Sequence, residues 1–292
     1  MTLQHLKKGL FPYVLLAPCI IILLAVTIYP LIFSLGISFM SYHFVRPELK
    51  TFIGLGNYVE HLTDLLFWFS LKTTFIFVVA SLTLTFLIGL GLALLLNSVP
   101  AGKSTISVLF IIPAMISPAV IGRVWRCLYD YDWGLVNYFL SFLRLGPFGW
   151  RSDPNLALPA TILVDVWQWS PFVFLILFAG LQGVPHEPVE AAKIDGASRW
   201  QVFKYITLPL LRPLILVVLL FRFIDTFRVF DVIYTLTKGG PGFATETLSL
   251  WTFRVGYLML EIGSASALAY LMLIMVVVIS TYLLRALFRE VE

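Results

Sequence analysis

Four ionisable side chains stand three residues apart in "FRFIDTFRVFDVIY", residues 221–234: Arg222, Asp225, Arg228 and Asp231. Aromatic rings lie between them at Phe223, Phe227, Phe230 and Tyr234. Carboxylates and guanidinium groups fix hydroxyls, and aromatic faces stack on the apolar faces of sugar rings. The pattern therefore suits a wall that handles a polyhydroxylated solute. It also suits an intrahelical ion-pair ladder, because residues spaced this way share one slowly drifting helix face. Both readings stand for Arg222, whereas Asp225, Phe227, Arg228, Asp231 and Tyr234 are assigned to a solute pathway. A second candidate is "DVWQWSPF", residues 165–172, where Asp165 and Gln168 are one turn apart and Trp167 and Trp169 flank Gln168. Gln168 and Trp167 offer the amide-plus-aromatic pair that binds sugars, and the same pair serves to anchor a helix at an interface.

The elements that hold these residues are apolar. The chain of 292 residues is 60% hydrophobic and 12% charged, about half the charged fraction of a soluble domain. Residues 12–40, 73–102, 104–122 and 262–284 contain no Asp, Glu, Lys or Arg; a helix needs about 20 apolar residues to cross a bilayer. The runs are continuous rather than alternating, which excludes a β-barrel. Six membrane-spanning helices fit, at about 11–40, 70–97, 105–129, 156–182, 206–236 and 262–287, in a single permease domain covering residues 1–292. Four charges in the fifth span would cost about 12 kcal/mol facing lipid, at about 3 kcal/mol each. They are therefore expected to face protein or a wet cavity. Prolines at 113, 118, 171 and 213 mark expected kinks.

With the N-terminus inside, the cytoplasmic ends hold more Lys and Arg than the outer loops, Lys7, Lys8, Lys193 and Arg289 among them, and the positive-inside rule favours that topology. Both termini are then cytoplasmic. Net charge is +4, which gives no nucleic-acid footprint. Cys19 and Cys127 read as small packing residues, and the four histidines form no metal-ligand cluster. "AGKST" at 101–105 ends like a phosphate-binding loop, but Asn97 occupies the position where that loop needs its first glycine.

Between the fourth and fifth spans lies "EAAKIDGASRWQVFKYITLP", residues 190–209, in which charge and apolar side chains alternate densely. Pro188 can open a helix, Gly196 can end it in a left-handed turn, and Ser198 with Gln201 has capping-box spacing. Trp200, Phe203 and Ile206 follow at helical spacing. The pattern predicts a short helix, a tight turn and a second helix feeding span five. Its small face, Ala191, Ala192 and Ala197, suits entry into a groove on another protein. A helix lying on lipid would instead carry a broad apolar face and a basic one.

Glu190-Ala191-Ala192, Gly196 after three residues, and Ile206-Thr207-Leu208-Pro209 after nine more resemble the EAA loop of ABC importer permeases. "IDGASRWQVF" at 194–203 and "LTKGGPGFATETLSLWTFRVGY" at 236–257 are similar to the maltose-type permease subunit of carbohydrate importers. The resemblance implies an all-α, six-helix type I importer permease in a bacterial or archaeal cytoplasmic membrane. Its EAA helix, with Glu190, Ala191, Ala192, Asp195, Gly196 and Ala197, would dock on an ATP-binding cassette ATPase dimer. ATP and Mg²⁺ would bind in that partner, with no cofactor and no catalysis in this chain. A second, paralogous permease and an extracytoplasmic substrate-binding protein would complete the assembly. The binding protein would dock on the loop containing Gly239, Gly240 and Pro241, and a carbohydrate would pass among the membrane-embedded candidates. The alternative is a secondary transporter coupled to ions through the Arg/Asp stripe.

Overall fold

A computed structural model describes Tyr13, residues 15–99 and residues 101–288. Lys7, Lys8, Arg289 and the start of the first span at Phe11 lie outside the described residues. Among the described residues are twelve α-helical segments, a short 3-10 helix at Pro47–Leu49 and one two-stranded hairpin. They are α1 (Leu15–Ser38), β1 (Met40–Ser41), β2 (Thr51–Phe52), α2 (Gly56–Thr63), α3 (Leu65–Ser98), α4 (Lys103–Met115), α5 (Pro118–Leu128) and α6 (Leu135–Ser141). After these come α7 (Pro154–Gln182), α8 (His186–Ile194), α9 (Arg199–Phe227), α10 (Asp231–Leu236), α11 (Leu248–Phe253) and α12 (Ile262–Phe288). Wide π-helical turns occur at Leu24–Ile28 in α1, at Phe203–Thr207 in α9 and at Arg254–Leu258 after α11.

Five helices are long and apolar enough to cross a membrane: α1, α3, α7, α9 and α12. The third span expected from the sequence is a broken one. α4 and α5 are bent by 91° where the sequence predicts one helix over 105–129. Pro118 explains the break. A residue before proline is pushed out of the helical region, and Ser117 has φ −57°, ψ 133°, with Ile116 already extended at φ −87°, ψ 138°. By contrast Pro171 lies inside an uninterrupted α7.

The chain divides into two compact units, residues 1–64 with 252–273 and residues 65–251 with 274–292. In the first, Asn57 Nδ2 donates to the carbonyls of Ser38 (2.7 Å) and Met40 (2.9 Å), closing the end of α1. His61, buried on α2, meets the hydroxyl and carbonyl of Ser264 on α12 at 2.8 and 3.0 Å. The most apolar stretch of α1 buries none of its side chains, as a helix with lipid for solvent does.

The second unit is built on α3 packed along α7, with α9 against both. Ala93 and Leu96 of α3, Phe174 and Leu177 of α7, and Leu211 and Val218 of α9 form its apolar centre. Close approach of α3 to α7 depends on Gly89. A Cβ there would lie 2.7 Å from Val173 Cγ1 and 3.0 Å from the Phe174 backbone nitrogen. Small residues at helix contacts are the means by which membrane helices pack. Gly89→Leu is therefore expected to destabilise the purified protein by about 1–3 kcal/mol, the cost of an overpacked core. Gly91→Leu, with open space at its Cβ, serves as the control; thermal unfolding in detergent reads both.

Candidate functional site: an exposed loop helix and a polar cavity

Glu190, Ala191 and Ala192 stand on α8, which contains no buried residue. The helix starts at His186 rather than Pro188, and Pro188 falls in its first turn, where the missing N–H has no partner to lose. Its end is a Schellman turn: Gly196 N–H donates to Lys193 O (3.1 Å), Ala197 N–H donates to Ala192 O (2.9 Å), and Gly196 adopts φ +82°. The capping box forms as the sequence predicts, with Gln201 N–H donating to Ser198 Oγ (3.3 Å) and Ser198 N–H to Gln201 Oε1 (2.7 Å). Glu190, Ala191, Asp195 and Gly196 are exposed, while Ala192 and Ala197 are half-buried. Ile194 is 86% exposed and Trp200 68%, so large apolar side chains flank the loop without covering it. Two hydrogen-bonded devices thus hold a short helix without a buried residue in a fixed turn.

The charged stripe of span five divides. α9 ends at Phe227, Arg228 leaves the helical region (φ −99°, ψ 20°), and Asp231 opens the separate α10. Residues 228–230 contain neither Pro nor Gly, so local sequence gave no warning of the break. The long-range partner lies 18 residues on: Thr247 Oγ1 donates to the freed carbonyl of Val229 at 3.4 Å.

Upstream of the break the structural reading holds for Arg222. Its side chain is 2% exposed, with Nη2 donating to Asp165 Oδ2 at 2.6 Å and Nη1 to Asp225 Oδ2 at 3.1 Å. Ser81 of α3 donates to Asp165 and accepts from Arg222 Nη2 at 3.4 Å. The guanidinium lies 5.3 Å over the ring of Trp169. One arginine therefore ties α3, α7 and α9 together. The ladder is partly between helices rather than within one, a feature residue spacing in a single span cannot show.

Downstream a cavity of about 250 Å³ opens beside Pro118 at the α4–α5 bend, lined by Asp165, Gln168, Trp169, Asp225, Arg228 and Asp231. Asp225 is 42% exposed and Arg228 70%, with Arg228 Nη2 at 3.9 Å from Asp225 Oδ1. Gln168 is buried, and its Nε2 donates to Ile116 O (2.9 Å) at the bend. Its Oε1 is buried without a partner, in a residue that lines a cavity. A buried orphan acceptor costs about 1–3 kcal/mol, and a donor group in the cavity would recover it.

The cavity leaves out three of the pathway candidates. Phe227 is fully buried, edge-on to Phe75 at 5.9 Å and beside Phe223 at 5.8 Å, and is a core residue. Trp167 leaves the side of α7 that carries Gln168 and packs edge-on to Trp125 at 5.5 Å. Trp167 does not line the cavity. Tyr234 stacks on Phe230 at 5.2 Å but does not line the cavity. Trp169, passed over in sequence as a flanking anchor, does line it; its position one residue beyond Gln168 was the available signal.

The 237–247 loop is folded on itself. Thr245 Oγ1 donates to Gly240 O (3.0 Å), Thr245 N–H donates to Gly239 O (3.1 Å), and the Thr237 and Thr245 hydroxyls meet at 2.7 Å. Gly239 is buried, Gly240 and Pro241 are half-buried, and the exposed tip is Gly242 and Phe243. The exposed backbone expected at 239–241 therefore lies one to two residues later. Cys19 and Cys127 are exposed rather than packed.

Residues 85–290 match the protein family described as Binding-protein-dependent transport system inner membrane component. The chain is 38% identical over 270 residues to the trehalose/maltose transport system permease protein MalF of Thermococcus litoralis, covering 92% of this chain and 91% of that one. It is 34% identical over 280 residues to the sulfoquinovosyl glycerol transport system permease protein SmoG of Agrobacterium fabrum, covering 96% and 91%. In fold it is similar to a chain of a bacterial alginate ABC transporter solved in complex with an alginate pentasaccharide-bound periplasmic protein, with TM-score 0.84, 24% identity and coverage of 96% and 94%.

Proposed function

The chain belongs to the family of inner-membrane components of binding-protein-dependent transport systems, and from that premise we propose that it is one of two paralogous permeases in an ATP-driven carbohydrate importer. As a multi-pass permease it leaves ATP hydrolysis to a separate subunit. Nothing in the comparisons favours the ion-coupled carrier, and Arg222, the first charge of the Arg/Asp stripe that suggested it, is held in a buried tie to Asp165.

The observation that carries the proposal is the state of α8: nine residues with no buried member, locked between a Schellman turn and a capping box. Such a helix is built to be covered by another protein. We assign that role to an ATPase cleft, with Glu190 as its charged contact and Ala191, Ala192, Asp195, Gly196 and Ala197 as the close-fitting remainder. An ATPase dimer has two clefts and this chain one helix, so a second permease is required. ATP and Mg²⁺ then sit in the ATPase, both termini are cytoplasmic, and the opposite face receives the binding protein at the loop holding Gly239, Gly240 and Pro241, through its tip at Gly242 and Phe243. Closing of the ATPase dimer moves the docked helices together and rocks the spans between inward-open and outward-open states.

The solute passes the cavity between α7 and the α9–α10 break, where Gln168 Oε1, Asp225, Arg228 and Asp231 supply polar contacts. Trehalose, maltose, sulfoquinovosyl glycerol and alginate, named for the relatives, are all hydroxyl-rich, which supports a carbohydrate here. Uptake into proteoliposomes bearing the assembled importer is the test. Uptake is expected to require ATP and to survive a protonophore, and Gln168→Leu is expected to raise the KM for transport about tenfold, the worth of one hydrogen bond. Uptake that proceeds without ATP and collapses with the protonophore would replace the importer by an ion-coupled carrier.

A further inference from the structure

Resting on the reading of this cavity as the solute path, we infer that it accepts neutral and amine-bearing sugars and selects against carboxylate-bearing ones, with Asp231 as the discriminating residue. The lining holds three carboxylates, Asp165, Asp225 and Asp231, against one guanidinium, Arg228. Arg222 stands behind them, buried, with both Nη atoms engaged by Asp165, Asp225 and Ser81. A ligand carboxylate thus finds only Arg228, which already lies 3.9 Å from Asp225 Oδ1. It also meets an excess of negative charge among the lining side chains.

Hydrogen bonding points the same way. The Gln168 amide nitrogen is committed to Ile116 O, and its Oε1 is a buried acceptor with nothing donating to it. The lining's three carboxylates outnumber its one guanidinium. Sugar hydroxyls and ammonium groups donate, whereas an ionised carboxylate only accepts. Asp231 is exposed at the start of α10 and is not an ion-pair partner of Arg222, so its charge can be changed without removing either member of the Arg222–Asp165 pair that holds α3, α7 and α9.

The test uses the assembled importer in lipid nanodiscs without its binding protein, so that only membrane selectivity is read. Saturation-transfer NMR compares methyl α-glucoside, its 6-amino-6-deoxy analogue and methyl α-glucuronide, which share a ring and differ at one carbon. The glucuronide is expected to bind about tenfold more weakly than the glucoside, and the amine at least as well as the glucoside. Asp231→Asn is expected to narrow the gap and Asp231→Lys to reverse it. Equal binding of glucuronide and glucoside, or a gap that Asp231→Asn leaves unchanged, overturns the selectivity while the cavity stands as the path. Failure of all three sugars to bind, in the wild type and both variants, overturns the path reading and this inference with it.

Discussion

Arg222→Leu is expected to destabilise the permease by about 3–5 kcal/mol, the penalty for leaving a buried charge without its partner. The stranded group is Asp165, 4% exposed, which would keep only the Ser81 hydroxyl. Removing both charges tells a different story. A buried ion pair replaced by apolar side chains of similar size is often neutral in stability, so Arg222→Leu with Asp165→Leu should recover most of the loss. Unfolding of the purified protein in mixed micelles of rising SDS fraction measures both. A single variant within about 1 kcal/mol of the wild type, or a double variant as weak as the single one, would show that the pair does not hold the helices.

Gly196→Ile is expected to leave membrane insertion and thermal stability near wild type while suppressing transport. At φ +82° a β-branched residue is strained by about 1–2 kcal/mol, which lowers the population of the closed turn by a factor of about 5–30. Uptake and co-purification of the ATPase should fall by a similar factor. Gly196→Asn, which tolerates this conformation, should retain most of both. Glu190→Lys is expected to lose ATPase association with the turn intact, because it reverses the one exposed carboxylate of the Glu190-Ala191-Ala192 triplet. An ATPase that still co-purifies fully with the isoleucine and lysine variants would contradict docking at α8.

The parts of the molecule that were legible in sequence are those governed by local rules. Hydropathy gave the helices, and Gly196, Ser198 and Gln201 announced the loop geometry because each acts within a few residues of itself. The α4–α5 bend was half visible: Pro118 was noted as a kink, but a 91° turn depends on what packs around the extended Ile116–Ser117 pair. The α9–α10 break was invisible, since it is stabilised from Thr247, in another segment. It moved Asp231 off the helix that carries Arg222 and Asp225 and onto α10, while Phe227, the last residue of α9, turns inward to Phe75. Arg222 remained ambiguous for the same reason, because its partners Asp165 and Ser81 come from helices 57 and 141 residues away in the chain.

The π-helical turn at Phe203–Thr207 absorbs one residue beyond an ordinary helical turn. Were it to tighten to regular geometry, everything after it would swing by about 100° around the helix axis, and the guanidinium of residue 222 would sweep from its partners toward lipid. The azimuth of the intramembrane ion cluster is thus clocked by a wide turn at the mouth of the loop that we assign to the ATPase contact, which makes torque, as much as thrust, a form in which work can arrive.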